Sequence, residues 1–530
     1  MSTKQISKNK KSQKSSNLDR TADLAINNLF RSIDSRCTGY ITPKQFWKEM
    51  AKGGILKTDP RLQKVNDELE GLNNAAGQEH KIYLDEFKRI IGHYIIVKKC
   101  LTGDMAIPDF NSLTKKIVDI YKETKPNSGG HVADYIPQLA RVNPEFYGVA
   151  VCSVDGQRFG HGDYEQKFCL QSTCKPINYC IAHKELGADK VHNHIGREPS
   201  GRSFNEMALN GDGLPHNPLI NSGAIMCTSL IQRKLEIADR FDHVLKTWND
   251  LSGDVAPTFN NSVYLSEKQT ADRNFALAYF MRENNAFPEN TNIIETLEFY
   301  FQCCSIEVTA AAMASVAGTL ANGGVNPLTG KKVFDAATVK NCLSLMNSCG
   351  MYDFSGEFAF TIGFPAKSGV SGALLVVIPN VMGIALWSPR LDELGNSVRG
   401  VEFCKKLVEH YSFHNYDILV NNGAKIDPRK KKYESKIDNV IALIWAGSVG
   451  DIDEIQRLEA LGVDLEAADY DGRTAIHLAA SEGQLETVKY LVTKKVNISP
   501  IDRWGGTPIK DAKKGKHTEL VEFLEKVSIG

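Results

Sequence analysis

A serine and a lysine three residues apart are the positions of this sequence with the clearest capacity for chemistry. Ser172 and Lys175 belong to the segment QSTCKP, and the spacing places a hydroxyl and an amine on one face of a helix that opens here. Pro176 is tolerated in a first helical turn, and Ser172 is expected to cap the helix. A lysine that is kept neutral can accept the serine's proton, so the pattern predicts a nucleophilic serine.

A second segment, Lys367-Ser368-Gly369-Val370, leads into the apolar stretch GALLVVIP and predicts the opposite wall of the same site. The two segments stand in the order of the S-x-x-K and K-T-G elements of penicillin-recognising serine hydrolases. Alone, each has a plain structural interpretation, since S-x-x-K is usually a solvated helix face and Lys-Ser-Gly is usually a turn. The pairing of the two favours catalysis.

The composition indicates a multidomain globular protein. With 530 residues, 42% hydrophobic and 24% charged, the chain is too long for one typical core, and we expect two to four domains. Sixty-three basic residues balance sixty-three acidic ones, so no global field would hold nucleic acid, and a small polar substrate fits better. The twelve cysteines show no zinc-type pairs, so reduced intracellular thiols are expected and no metal site is predicted.

No uninterrupted apolar run is long enough to predict a membrane span. The best candidate, from Ala373 to Trp387, is broken by Pro379 and Asn380, which predicts two buried strands joined by a turn. Residues 1–20 are rich in Lys and Ser and are predicted to form a disordered basic tail. This composition excludes a secretory signal and leaves an organelle transit peptide open.

Residues 21–125 predict an EF-hand-like helical bundle without calcium. In DSRCTGYITPKQF, Asp34 stands at position one of a calcium loop, Gly39 at position six and Ile41 at position eight. Positions three, five and twelve carry arginine, threonine and glutamine, so most of the negative charge that calcium requires is missing. The second frame, which ends at Glu86, is equally depleted. A role in packing or oligomer formation is expected.

Residues 130–422 predict an α+β domain. Short alternating strands such as FYGVAVCSVDG and MGIALWSP are mixed with helical stretches such as VTAAAMASVAGTLANGG, without strict β-α alternation. A sheet built from both ends of this region and flanked by helices would bring Ser172 and Lys367 together.

Residues 435–530 predict ankyrin repeats. DYDGRTAIHLAA, from Asp469, recurs 33 residues later as DRWGGTPIKDA, from Asp502, and three helical segments share this period. Such repeats carry no chemistry of their own, so they predict contact with an unknown protein partner or with the rest of the chain.

With these segments in place, the chain resembles the animal phosphate-activated glutaminases of the kidney and liver type. The resemblance covers nearly everything from Thr21 onward. It implies a multidomain fold, with an all-α EF-hand-like bundle, an α+β glutaminase domain like the serine-dependent β-lactamases and transpeptidases, and α-helical ankyrin repeats. It is carried by the segments DYIPQLA, QSTCKP, EPSGRSFN, PHNPLINSGAI, DRNFALAYF, FYFQCCSIEVT, LANGG, SCGMYDFSG and PAKSGVSG.

The resemblance implies hydrolysis of L-glutamine to L-glutamate and ammonia without a metal or organic cofactor. Ser172 would be the nucleophile, Lys175 its general base, and Tyr352 the relay of a proton to the leaving ammonia. Backbone N–H groups of Ser172 and Val370 would hold the oxyanion. Any binding residue could instead be a satisfied structural polar group. The substrate contacts that the family implies are Tyr135, Ser172, Asn221, Glu267, Asn274, Tyr300, Tyr352 and Val370.

The same resemblance implies regulation. Inorganic phosphate would activate a homo-oligomer, either a dimer or tetramer or a filament, and the location would be mitochondrial, with a cytosolic form left open by the weak transit character of the tail. The regulatory loop Met207-Ala208-Leu209 has Ala where kidney-type enzymes have Phe, and Phe280 stands where they have Tyr. Losing the aromatic ring at Ala208 predicts a weaker response to the family's allosteric inhibitors and altered phosphate activation.

Two other functions stay open at this point. A penicillin-type acyl hydrolase or peptidase would use the same serine, lysine and K-S-G segment on larger substrates. An ankyrin scaffold with an inert hydrolase domain is the third possibility, although such a scaffold would have no need of Ser172, Lys175 and Tyr352 together.

Overall fold

The structure of the chain is a computed structural model that falls into two compact units, residues 1–408 and 409–530. The predicted tail at 1–20 lies outside the described residues. The residues described are 26–27, 29–34, 36–71, 80–201, 206–419, 425–430, 434–460 and 463–529.

The first unit begins with helices around a small antiparallel sheet. Strand β1 (Tyr40–Ile41) pairs with β2 (Ile82–Tyr83), with Ile41 opposite Ile82, so the two loop frames meet through their eighth positions. The four helices between Pro43 and Thr102 bury their apolar faces in one common core. The helices are α1 (Pro43–Lys52), α2 (Gln63–Gly71), α3 (Leu84–His93), α4 (Ile95–Thr102) and α5 (Phe110–Thr124), with a 3₁₀-helix at Pro60–Leu62.

The Asp34 carboxylate is engaged by its own loop. It accepts hydrogen bonds from the backbone N–H groups of Thr38 (2.9 Å) and Gly39 (2.7 Å) and from the Thr38 hydroxyl (3.0 Å). The hydrogen bond from the Thr38 backbone is the main cause that lowers the pKa of Asp34. Internal hydrogen bonds thus occupy oxygens that would otherwise face a cation. Across the described part of the chain, His, Cys, Asp and Glu side chains form no cluster of three or more that could hold a metal.

The main sheet is built from both ends of the central region, as predicted. Its strand order is β4-β3-β10-β9-β8, and every neighbouring pair is antiparallel. The stretch from Ala373 to Trp387 is the hairpin β9–β10, which confirms two buried strands around a turn. A smaller sheet has the order β5-β7-β6. The strands are β3 (Gly148–Ser153), β4 (Arg158–Gly162), β5 (Phe168–Cys169), β6 (Thr258–Phe259), β7 (Ile306–Val308), β8 (Ala366–Gly369), β9 (Ala373–Ile378) and β10 (Met382–Trp387).

An alanine-rich helix, α14 (Ala310–Ala321), packs directly on this sheet. The Thr309 hydroxyl accepts the Ala312 N–H (3.1 Å) and caps the helix. Small side chains allow a close approach, since a Cβ at Gly383 of β10 would lie 2.2 Å from the Gly318 nitrogen. The other helices of this region are α6 (Pro137–Ala140), α7 (Lys175–Leu186), α8 (Ala188–His192), α9 (Asn221–Leu230), α10 (Ile237–Ser252), α11 (Asn261–Gln269), α12 (Asp272–Glu283), α13 (Ile293–Cys304), α15 (Ala336–Cys349), α16 (Ser355–Thr361) and α17 (Val398–His410).

The turn between β3 and β4 holds the amino-terminal helices against the sheet. The Asp155 carboxylate accepts hydrogen bonds from the Lys99 amine (2.7 Å) and the Ala106 N–H (2.7 Å). The Gln157 amide donates to the Gly53 carbonyl (2.9 Å). The helical bundle and the sheet are therefore joined by partly buried polar contacts.

The second unit consists of paired short helices. Thr474 and Thr507 each stand immediately before a helix, one period apart. His477 closes a capping box with Thr474, which explains the T-x-L-H spacing. No helix of the described chain is both long and apolar enough to span a bilayer. The helices are α18 (Glu434–Val449), α19 (Ile452–Ala460), α20 (Ala475–Ser481), α21 (Leu485–Thr493), α22 (Pro508–Gly515) and α23 (Thr518–Ile529), with a 3₁₀-helix at Asp417–Leu419.

Candidate active site

Ser172 lies in a 3₁₀-helix, Gln171–Cys174, that leads directly into α7. The Lys175 N–H donates to the Ser172 carbonyl, and side chains at i and i+3 of a 3₁₀-helix lie one above the other. The two side chains therefore share one face, as their spacing predicts. The expectation that Ser172 caps the helix is wrong. Because the first turn is 3₁₀, α7 starts three residues later, with Cys174 at its N-cap and no side-chain cap.

Two residues of the site have a left-handed backbone without being glycine. Gln171 has φ +50° and Tyr352 has φ +54°. Such conformations cost free energy, and surrounding contacts must hold them. Gly350 supplies one such contact, because a Cβ there would lie 1.8 Å from the Ala366 carbonyl oxygen. The segment that carries Tyr352 is thus pressed against β8.

Lys175 is a fully buried amine. Its Nζ donates to Asn221 Oδ1 over 2.6 Å. Burial lowers its pKa from 10.5 to about 8, because desolvation disfavours the charged form. A substantial fraction of this amine is neutral near pH 8, and such an amine can act as a base.

Tyr352 connects the serine segment to the K-S-G segment. Its side chain is hydrogen-bonded to that of Ser172, and its hydroxyl donates to the Ser368 carbonyl over 3.2 Å. Burial raises the pKa of Tyr352, whereas the hydrogen bond with Ser172 lowers it. The phenol is therefore protonated at neutral pH and in contact with the candidate nucleophile.

Strand β8 forms the opposite wall, as the sequence predicts. A Cβ at Gly369 would lie 3.0 Å from both the Leu170 carbonyl oxygen and the Thr173 Cγ2, so only a glycine lets the strand approach the Ser172 turn without displacing a neighbour. Val370 follows directly and packs on a small apolar cluster. Lys367 is fully buried on the same strand.

A carboxylate cluster lies on one side of Ser172. Glu267 Oε1 accepts the Tyr135 hydroxyl (2.6 Å) and the Gln171 amide (2.9 Å), and the Tyr135 hydroxyl is 3.2 Å from Gln171 Oε1. Burial raises the pKa of Glu267, against the effect of these two hydrogen bonds. Tyr135 leaves 44% of its surface exposed. The cluster places one buried carboxylate beside the residue that precedes Ser172.

An amide cluster completes the site. Asn221, the first residue of α9, accepts the Lys175 amine, and its Oδ1 lies 3.5 Å from the Tyr300 hydroxyl. Its Nδ2 donates to Asn274 Oδ1 over 3.0 Å. Burial raises the pKa of Tyr300, so this phenol is also a donor. The amide cluster is thus joined to Lys175 by hydrogen bonds.

The four regulatory positions have surroundings of their own. Met207 is 49% exposed, whereas Leu209 packs on the main core. The Ala208 N–H donates to the Glu206 carbonyl (3.0 Å). Phe280 lies half-buried near the end of α12. The structure does not place these positions among the polar contacts described above.

Sequence reasoning missed Gln171. Gln171 directly precedes the nucleophile, and its side chain is hydrogen-bonded to Glu267 and Tyr135, which come from distant segments. Its position next to Ser172 was the available signal. Neither a left-handed glutamine nor its partner at Glu267 follows from any local pattern.

The arrangement is suited to covalent acyl transfer. The site combines a serine in contact with a phenol, a buried amine of lowered pKa on the same helical face, and nearby carboxylate and amide groups. Such groups can attack and hold a small polar acyl compound.

Comparisons with known proteins agree with this chemistry. The family model described as Glutaminase matches residues 130–416, with an EF-hand domain at 25–108 and three ankyrin repeats at 443–529. The chain is 45% identical over 505 residues to a Caenorhabditis elegans protein assigned as glutaminase 3, covering 94% of this chain and 86% of that protein. It is 43% identical over 483 residues to the mitochondrial liver isoform of glutaminase from Mus musculus, covering 91% and 80%.

A solved structure described as the probable glutaminase ybaS superposes with a TM-score of 0.54 at 36% identity, covering 56% of this chain and 96% of that one. Both the family model and the full-length relatives span the segments that build the site. The chain therefore belongs to the glutaminase family.

Proposed function

We propose that this glutaminase cleaves the side-chain amide of L-glutamine through an acyl-enzyme on Ser172, with Lys175 as the general base. The observation that carries the proposal is the i, i+3 placement of Ser172 and Lys175 along one 3₁₀ turn, together with the burial that lowers the pKa of the Lys175 amine to about 8. No residue outside this face combines a nucleophile and a base in the same way among the contacts described above.

In the first half-reaction, the Ser172 oxygen forms a bond to the amide carbon while its proton passes to the Lys175 amine. The tetrahedral oxyanion is held by the backbone N–H groups of Ser172 and Val370. The carbon–nitrogen bond then breaks, and Tyr352 passes a proton to the nitrogen, which leaves as ammonia. Lys175 then returns its extra proton to Tyr352, which restores the neutral amine and the phenol. In the second half-reaction, Lys175 takes a proton from the water that attacks the ester, the bond between Ser172 and the acyl carbon breaks, Lys175 passes the proton to Ser172, and glutamate leaves.

The clusters beside Ser172 would hold the rest of the substrate. The α-ammonium group pairs with Glu267, whose buried carboxylate gains from a compensating positive charge. Asn221, Asn274 and Tyr300 supply amide and phenol donors for the α-carboxylate. Tyr135 and Gln171 orient Glu267 through hydrogen bonds, so they set the distance between the anchor and the scissile amide.

The direct test is the release of ammonia and glutamate from L-glutamine, measured with and without inorganic phosphate. Equal amounts of both products are expected. Hydrolysis of a chromogenic β-lactam at a comparable rate would favour the penicillin-type reading instead. A folded protein without activity on either substrate would favour the inert scaffold.

The regulatory properties extend this proposal. Inorganic phosphate is proposed as an activator, and a homo-oligomer as the active form, with filaments as an alternative to a dimer or tetramer. The ankyrin repeats are proposed to bind a protein partner. A mitochondrial location is proposed, because the mouse relative is named as mitochondrial, with the cytosol as the alternative.

Replacing Ala208 by Phe is expected to strengthen inhibition by the allosteric inhibitors of kidney-type glutaminases. A phenyl ring at this half-buried position would restore a large apolar anchor, worth about tenfold or more in affinity. Inhibition constants of the wild type and Ala208→Phe, measured at fixed phosphate, give the comparison. Equal inhibition constants for the two proteins would contradict this prediction.

A further inference from the structure

Lys367 is a fully buried lysine to which the mechanism above gives no role. Its amine donates to the carbonyl oxygen of the next residue, Ser368, over 2.6 Å. None of the ion pairs in the described chain includes it. A buried amine without a carboxylate partner is costly to maintain, so a reason for its presence is needed.

The Ser368 carbonyl is shared between two donors. It accepts the Lys367 amine over 2.6 Å and the Tyr352 hydroxyl over 3.2 Å. A carbonyl oxygen that already accepts a short hydrogen bond is a weaker acceptor for a second donor. The Tyr352 proton is therefore held loosely on this side and is available on the side of Ser172.

The same amine also lies over the Tyr352 ring, with Nζ 4.3 Å from the ring centroid. An amine packed on the face of a phenol ring restricts how that ring can turn. The amine thus contacts Tyr352 through both its ring and its hydrogen-bond acceptor. Burial and the charge of Lys175 lower the pKa of Lys367, and the amine donates to Ser368 in either protonation state.

The backbone fixes this geometry. The Ser368 N–H donates to the Gly350 carbonyl over 3.1 Å, which ties strand β8 to the segment that places Tyr352 in its left-handed conformation. This main-chain contact holds the strand that carries Lys367 next to the segment that carries Tyr352.

We propose that Lys367 is a positioning residue that acts through Tyr352, holding its ring and its acceptor so that the hydroxyl delivers a proton to the departing nitrogen. The proposal rests on the acyl-enzyme mechanism given above. Lys367 contacts neither the substrate nor the acyl bond in this scheme.

The test compares two substrates in Lys367→Met. L-Glutamine needs a proton on its leaving group, whereas the γ-(4-nitrophenyl) ester of L-glutamate releases a stable anion. We expect kcat/KM to fall by about 10²-fold for glutamine, the size of effect that misplacing a catalytic group produces, and by less than about threefold for the ester. Equal losses on both substrates would mean a merely structural role and would overturn the proposal.

A double-variant cycle with Tyr352→Phe tests the route of action. If Lys367 acts through Tyr352, the double variant loses no more glutamine activity than Tyr352→Phe alone. Independent losses that multiply would overturn the proposal. If Tyr352→Phe itself keeps full activity on glutamine, the assignment of Tyr352 fails first, so this failure is distinguishable from that of the lysine.

Lys405→Met is the matched control. Its amine also lies over a ring of the Tyr352–Phe354 3₁₀-helix, 5.8 Å from the Phe354 centroid, but it is exposed. Activity on both substrates should be unchanged.

A second variant is needed if Lys367→Met does not fold, as judged by circular dichroism. Lys367→Gln keeps a hydrogen-bond donor on the side chain and takes the place of Lys367→Met in both comparisons. We expect the same pattern, with a large loss of activity on glutamine and a small one on the ester.

Discussion

Ser172→Ala is expected to lower kcat for L-glutamine by about 10⁵-fold, the scale seen when the nucleophile of a covalent hydrolase is removed. The variant keeps Lys175, Tyr352 and the binding clusters, but no atom remains that can form the acyl bond. The change deletes one hydroxyl and one hydrogen bond to Tyr352, so the free energy of unfolding should change by only about 1 kcal/mol. Initial rates of ammonia release and denaturant unfolding curves measure the two effects.

Rapid acid quenching followed by mass spectrometry adds a direct view of the intermediate. The wild type should carry a glutamyl adduct on the peptide that contains Ser172, and the variant should carry none. Ser388→Ala serves as a control. Ser388 is buried, like Ser172, but its hydroxyl has no hydrogen-bond partner in the described structure. Substantial activity in Ser172→Ala would assign the nucleophile elsewhere.

Local sequence patterns predicted the parts of this site that lie on regular elements. The S-x-x-K spacing placed Ser172 and Lys175 on one face because helical periodicity is a local property. The stretch from Ala373 to Trp387 predicted a hairpin, because two apolar runs flank a Pro-Asn turn. A sheet that joins strands from both ends of the central region was predicted from these patterns, and this sheet brings Lys367 close to Ser172.

The remaining parts of the site depend on tertiary contacts that no local pattern encodes. The left-handed backbone of Tyr352 exists because Gly350 allows the chain to press on β8. Glu267 and Tyr135 meet only because distant segments converge, and here the resemblance to a known family supplied what the spacing could not. The β-lactamase-like α+β fold of the central region is what brings these loops together.

The burial that lowers the pKa of Lys175 also depends on tertiary contacts. In the sequence, Lys175 is a lysine beside a proline, and nothing local distinguishes it from a solvated one. The helices and strands packed around α7 remove water from its amine and lower its pKa. A chemical property of one residue is thus determined by the whole core.

Lys175→Met is therefore expected to abolish activity and to change how stability depends on pH. Without the amine, no base takes the Ser172 proton, and kcat/KM should fall by about 10⁴-fold. In the wild type, kcat/KM should rise as pH approaches and passes about 8, because the neutral amine is the active form. The pH profile of kcat/KM between pH 6 and 9.5 measures this rise.

The stability prediction follows from the same group. The pKa of Lys175 is 10.5 unperturbed and about 8 when folded, so between these values the unfolded chain binds more protons than the native protein. The free energy of unfolding attributable to this group therefore rises with pH across that window, and below pH 8 its burial costs about 3 kcal/mol. Methionine removes this cost but leaves Asn221 with a lost hydrogen bond, worth about 1 to 2 kcal/mol.

Lys175→Met should thus be more stable than the wild type by about 1 to 2 kcal/mol at pH 7, and this advantage should shrink and then reverse as pH rises through 10, where the lost hydrogen bond outweighs the remaining cost of burial. Urea unfolding at several pH values measures both quantities. Lys184→Met, an exposed lysine on the same helix, should alter neither the activity nor the pH slope. A variant that is inactive yet has the wild-type pH slope would show that the Lys175 amine is not the group of lowered pKa, and the proposed base would have to be sought elsewhere.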